Sequence, residues 1–254
     1  MTDDALIAAL PRAGMADVLL LAAEAGRRRL IAAVPGLEAV CRRLVGFGVD
    51  RPVREQIAAL EALSAIGDPE AAKAVARIIA RNDVQGPTLA IAVAAAARLV
   101  AKIPVGTVLA LLRHHDPAVR ADACRLGRPH AEIVAVMVDL LDDLNADVSV
   151  AAACALGRMG RIEALSPLAR LLERAPTAEI IQAIAAVAND AVIVRLGRLA
   201  RVRPDLAVVV LDALDDCDLP LAAKLADGLR MMPEEGGQTT PPRRPLSDPD
   251  SITV

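Results

Sequence analysis

The chain has 254 residues, 55% of them hydrophobic, with no Trp, no Tyr and a single Phe. Its 29 Lys and Arg stand against 32 Asp and Glu, for a net charge of −3. An interior without aromatic residues argues against a β-sandwich or barrel. Balanced charge, with almost nothing to stack on bases, leaves no footprint for nucleic acid.

The first residues, MTDDALIAAL, are acidic where a secretory signal would be basic. A short cap helix is expected over 3–10. Seven helix pairs are expected to follow, at about 15–48, 50–83, 84–115, 116–144, 145–174, 175–202 and 203–232. The sign of repetition is a doublet of large aliphatic residues: Leu44-Val45, Ile78-Ile79, Leu111-Leu112, Leu140-Leu141 and Leu171-Leu172. Its steps are 34, 33, 29 and 31 residues. A period of this size is the mark of a solenoid built from stacked supersecondary units.

The units share a plan: a first helix ending near Gly, a turn, a second helix ending at the doublet, then a polar loop. In the third unit, 84–97 is apolar but too short for the ~20 residues that cross a bilayer, so a buried helix is expected there. In the fourth unit, Asp116 and Pro117 open a helix that Gly127 closes. In the fifth unit, Asn145 or Asp147 is the expected N-cap. Gly157 and Gly160 are expected to end that helix, and the regular part of the next helix is expected to begin near Ser166, because Pro167 belongs in a first turn. The last two units keep the helical period and lose the loop motif. From Pro233 the sequence PEEGGQTTPPRRPLSDPDSITV reads as a flexible tail with a P-x-x-P spacing. The expected domains are therefore 1–232 and 233–254.

DPAVRADACRLG (116–127), DRPVREQIAALEALSAIGDPEAA (50–72) and VAAACALGRMGRIEAL (150–165) resemble HEAT repeats. More narrowly, they resemble the short HEAT-like repeats of phycobilisome lyases. The matching residues are Asp116, Pro117, Val119, Arg120, Ala123, Leu126 and Gly127 in one half of the pattern, and Gly67, Asp68, Pro69, Glu70 and Ala71 in the other. The resemblance implies an all-α, right-handed solenoid of antiparallel helix pairs that binds another protein, with its second helices on the concave surface. It also offers an alternative, a lyase-like or chaperone-like factor that helps attach or insert a prosthetic group. That alternative needs a shelter for a large planar ligand, and Phe47 is the one aromatic residue to build it. A third reading, lesion binding on DNA as in some HEAT-like glycosylases, is disfavoured by charge and composition.

No chemistry-bearing motif is present. Ser64, Ser149 and Ser166 lie in no G-x-S-x-G elbow, and neither a P-loop nor a G-x-G-x-x-G occurs. His114, His115 and His130 lack the His-Glu dipeptides by which HEAT-like hydroxylases hold iron. Cys41, Cys124, Cys154 and Cys217 are far apart, which suits reduced thiols in a cytosol. Cys124 and Cys154 fall at the same place in successive units and read as packing residues. Neither a catalytic residue nor a metal or cofactor site is expected, and neither are nucleic-acid binding and membrane insertion. Arg54 and Arg120 read as fittings of their turns, tied to Asp50 or Asp116 or to loop carbonyls.

The expected partner surface is a ridge along the second helices. Residues before the doublets and four further on share a helix face. They give Arg43, Arg77, Asp139 and Arg170, then Phe47, Arg81, His114, Asp143 and Arg174, with Lys73 extending the row. The ridge is basic at both ends and acidic in the middle, and another protein is the expected partner.

Overall fold

The computed structural model describes residues 1–231; the expected tail, 233–254, lies outside them. Among the described residues every regular element is helical. Helix α1 (Asp3–Ala9) caps the N-terminal end. The pairs are then α2 (Met15–Arg27) with α3 (Val34–Arg43), α4 (Arg54–Ile66) with α5 (Pro69–Ala80), and α6 (Gly86–Arg98) with α7 (Val105–Leu112). Next come α8 (Pro117–Leu126) with α9 (Ala131–Asp139) and α10 (Ala146–Arg158) with α11 (Leu165–Arg174). The last two pairs are α12 (Ala178–Ala185) with α13 (Asp190–Val202) and α14 (Ala207–Asp215) with α15 (Pro220–Arg230). The described residues form an α-solenoid of seven helix pairs, and the unit boundaries expected from the sequence hold.

Local signals account for most helix starts. Asp116 Oδ1 accepts from the Ala118 amide at 2.9 Å, and Asp68 Oδ1 from the Glu70 amide at 2.8 Å, each with Pro at the first helical position. Asn145 is the cap of α10, accepting from Asp147 and Val148 at 3.0 and 3.3 Å. Residues Ile162–Ala164 form a 3₁₀ turn before α11, which leaves Pro167 in the first turn of that helix, where its missing amide costs nothing.

Stacking follows side-chain size. The first helices approach one another closely at every step, α2–α4–α6–α8–α10–α12–α14. Their shared faces are rich in Ala and Gly, and small side chains let backbones come near. A Cβ on Gly26 would lie 3.0 Å from Ala62 Cα. Gly157 corrects an expectation: α10 runs through it to Arg158, and a Cβ there would meet the Ala183 carbonyl oxygen at 2.6 Å and Leu168 Cδ1 at 2.7 Å. Its task is close approach, and Gly160, at φ +70°, makes the turn.

Each second helix also packs against the first helix of the following unit, at all six boundaries. Within the second layer, close approach holds only at α3–α5, α7–α9 and α13–α15. Close approach is missing between α5 and α7, between α9 and α11 and between α11 and α13, and grooves stand beside α9 and between α11 and α13. The apolar run 84–97 forms most of α6 and is buried between α4 and α8. No described helix is long and apolar enough to cross a membrane.

Candidate partner-docking surface on the second helices

The sequence-derived ridge divides into members that hold the fold and members that face outward without a partner. Arg77 and Arg81 belong to the first group. Arg77 Nε and Nη2 donate to the Glu38 carboxylate at 3.0 and 2.6 Å, from α5 back to α3. Arg81 Nη2 reaches Glu38 at 2.7 Å, and its guanidinium also grips Asp83 at 2.7 and 3.0 Å. The Glu38 side chain is only 14% exposed. The Arg77 hydrogen bond, helped by Arg81, holds its carboxyl below the usual range. The charges of Arg77 and Arg81 are thus balanced by the protein's own carboxylates. Lys73 pairs with Glu70 at 2.7 Å on the same helix, and Arg43 donates to the Pro11 carbonyl at 3.2 Å.

Asp143 is the clearest departure from the ridge. Its side chain is 9% exposed and accepts from Arg120 Nε and Nη2, both at 2.9 Å. It also accepts from the Asn145 amide at 2.9 Å. Arg120 completes the clamp by donating to the His114 and His115 carbonyls at 2.8 and 2.9 Å. The reading of Arg120 as a fitting tied to loop carbonyls is right, but its carboxylate is Asp143 of the next loop and not Asp116. The Arg120 bonds hold the Asp143 carboxyl below its ordinary range. His114 sits half-buried in the same corner; its Nδ1 accepts from the Asp116 amide at 3.1 Å. Burial, with His115 beside it, pushes its pKa down.

Arg54 does not repeat Arg120. Helix α4 begins at Arg54 itself, whereas Arg120 is the fourth residue of α8, so the same letters fall in different registers. The tie in this unit is Gln56, which is buried. Its Nε2 donates to the carbonyls of Cys41, Leu44 and Asp83 at 3.1, 3.3 and 2.9 Å. The sequence reading missed Gln56, because nothing in its spacing marks it. Cys41, Cys124 and Cys154 are buried among aliphatic side chains, and burial pushes their thiols up to about 12, 12 and 11.

Asp139, Arg170 and Arg174 remain exposed, and none has an ion-pair partner among the described residues. Asp139 stands at a groove of about 670 Å³ beside α9, where Arg161 pairs with Glu163 at 2.8 Å. Arg174 stands at a groove of about 680 Å³ between α11 and α13. Arg195, Arg198 and Arg203 join it there, over an apolar lining of Leu172, Leu199 and Val202. Arg195 and Arg198 lie on α13 and Arg203 follows its last residue; the sixth unit has lost its loop motif, so the doublet register gave no way to find them. Arg195 pairs with Glu173 at 2.7 Å and Arg203 with Asp205 at 2.7 Å, while Arg198 has no ion-pair partner among the described residues.

Phe47 lies beyond the end of α3, in a loop with Gly46 and Gly48 at φ +84° and +88°. It is 63% exposed and borders a groove of about 740 Å³ that Met15 and Val49 also line. Among the described residues no three His, Cys, Asp or Glu side chains converge as metal ligands. The Ser149 hydroxyl donates to the Ala146 carbonyl at 3.0 Å.

Residues 105–189, from the start of α7 to the cap of α13, match the family model described as HEAT repeats. No curated protein matches the chain.

Proposed function

We propose that this protein is a non-enzymatic scaffold that docks another protein along its second-helix layer. The observation that carries the reading is the contrast between the two layers. The first helices close on one another at every step, while the second leave grooves beside α9 and between α11 and α13. A solenoid of this kind offers a long, irregular surface for its length. Exposed charges there without an ion-pair partner among the described residues, Asp139, Arg170, Arg174 and Arg198 among them, are available to select a partner. Four unpaired thiols, three of them buried, favour work in a reducing compartment such as the cytoplasm.

Affinity capture with the full chain tests the proposal. Asp139→Arg combined with Arg170→Glu alters the second layer, and Ala65→Glu alters the exposed face of α4 in the first. Captured proteins should fall away for the second-layer pair and persist for Ala65→Glu. Equal capture by all three, with circular dichroism showing intact helices, would sink the reading.

A further inference from the structure

We infer that the α11–α13 groove takes an acidic segment of the partner, with aliphatic side chains set between its carboxylates. The inference rests on the scaffold reading and names the chemistry of what is held. Arg174, Arg195, Arg198 and Arg203 concentrate positive charge in one groove of a chain whose net charge is −3. Guanidinium groups match carboxylates in a planar, two-pronged geometry, and arginine pays less than lysine in hydration on leaving water.

The exposure of their partners separates these arginines from the ones that clamp the fold. Arg77, Arg81 and Arg120 are held by carboxylates that are 14%, 6% and 9% exposed. In the groove, Arg195 and Arg203 are held by Glu173 and Asp205, which are 63% and 60% exposed. Such exposed surface pairs contribute little, so an incoming carboxylate displaces them easily. Arg174 and Arg198 need no displacement among the described residues. The lining of Leu172, Leu199 and Val202 then gives an aliphatic side chain somewhere dry to sit.

The same features point away from a nucleic acid. Base stacking needs aromatic faces, and the groove has none. A continuous phosphate track would next meet Asp139 and Glu163 at the neighbouring groove.

The test uses the full chain and a fluorescein-labelled peptide repeating Glu-Leu-Glu-Glu-Leu-Glu. Its comparators are the same peptide with Gln for Glu, and an oligodeoxythymidylate of equal charge. The acidic peptide should bind, and added salt should weaken it. Arg174→Glu with Arg198→Glu should cost at least about tenfold in affinity, because two of the groove's charges are reversed. Arg174→Gln with Arg198→Gln, which removes the charges and keeps polar side chains, should cost less. Arg12→Glu with Lys102→Glu, an equal charge change elsewhere, should leave binding unchanged. The inference is overturned if the acidic peptide does not bind, if the Gln peptide or the oligonucleotide binds as tightly, or if the groove variants bind like wild type. If the peptide fails while capture still depends on the second layer, this inference falls alone. If capture ignores the second layer, the scaffold reading falls as well.

Discussion

Arg120 shows how a single side chain joins two units. It spans from the His114 and His115 carbonyls to Asp143, 23 residues further along the chain. Replacing it with Ala leaves a carboxylate that is 9% exposed without its cation, and two carbonyls without a donor. The expected cost is about 2–3 kcal/mol, below that of a fully buried pair because Arg120 itself keeps some contact with water. Chemical denaturation read by circular dichroism checks it. Asp143 also carries a pH signature. Its folded pKa is depressed, so the pair's contribution is complete above the ordinary Asp value of about 4 and is lost as pH falls through the depressed one. The stability gap between wild type and Asp143→Asn should therefore narrow below about pH 4. The buried thiols make a second expectation at this scale. Cys41, Cys124 and Cys154 should resist a polar alkylating reagent at neutral pH and react promptly once the chain is unfolded, as followed by mass spectrometry. That Arg120 was a fitting could be read from its place in the loop motif. Its true partner could not, because local spacing offers Asp116 four residues away and tertiary folding supplies Asp143.

Helices were the most legible level. The doublets, the Asp-Pro starts and the period of about thirty residues placed all seven pairs, and the break at Pro167 placed the start of α11 within one residue. Glycine was harder to read, since one letter serves two purposes. Gly160 turns the chain, whereas Gly157 lies inside α10 and brings α12 close, and only the neighbour's backbone distinguishes them. Gly157→Ala is expected to destabilise by about 1–3 kcal/mol through overpacking against Ala183 and Leu168. Gly228→Ala makes the contrast: it lies within α15 with open space around its Cα, and should stabilise by up to about 1 kcal/mol. Thermal melts of the two variants should move in opposite directions. The ridge divides at this scale for a related reason. Face periodicity identifies side chains that point the same way, but Arg77 and Arg81 turn toward Glu38, and Asp143 turns inward. Asp139, Arg170 and Arg174 stay outward, and Arg174 stands beside arginines of α13, whose unit has lost its loop motif.

Across the whole molecule, cohesion runs over the unit boundaries. Every second helix grips the first helix of the next unit, so no unit is complete alone and the ends are the least supported. Helix α10 has eight buried residues and α15 only Ala222 and Ala226. Amide exchange should accordingly be slowest in α8 and α10 and fastest in α15, and a uniform rate along the chain would contradict this account. Phe47 is the sole aromatic ring of its kind in 254 residues, and it stands exposed on the loop after α3. The protein is consequently almost dark in the near ultraviolet. Any partner that contains tryptophan or tyrosine emits against an empty background, and its own emission can follow complex formation without a label. Phe47→Trp would in turn install a single emitter at the N-terminal end, able to report whether a bound segment extends that far.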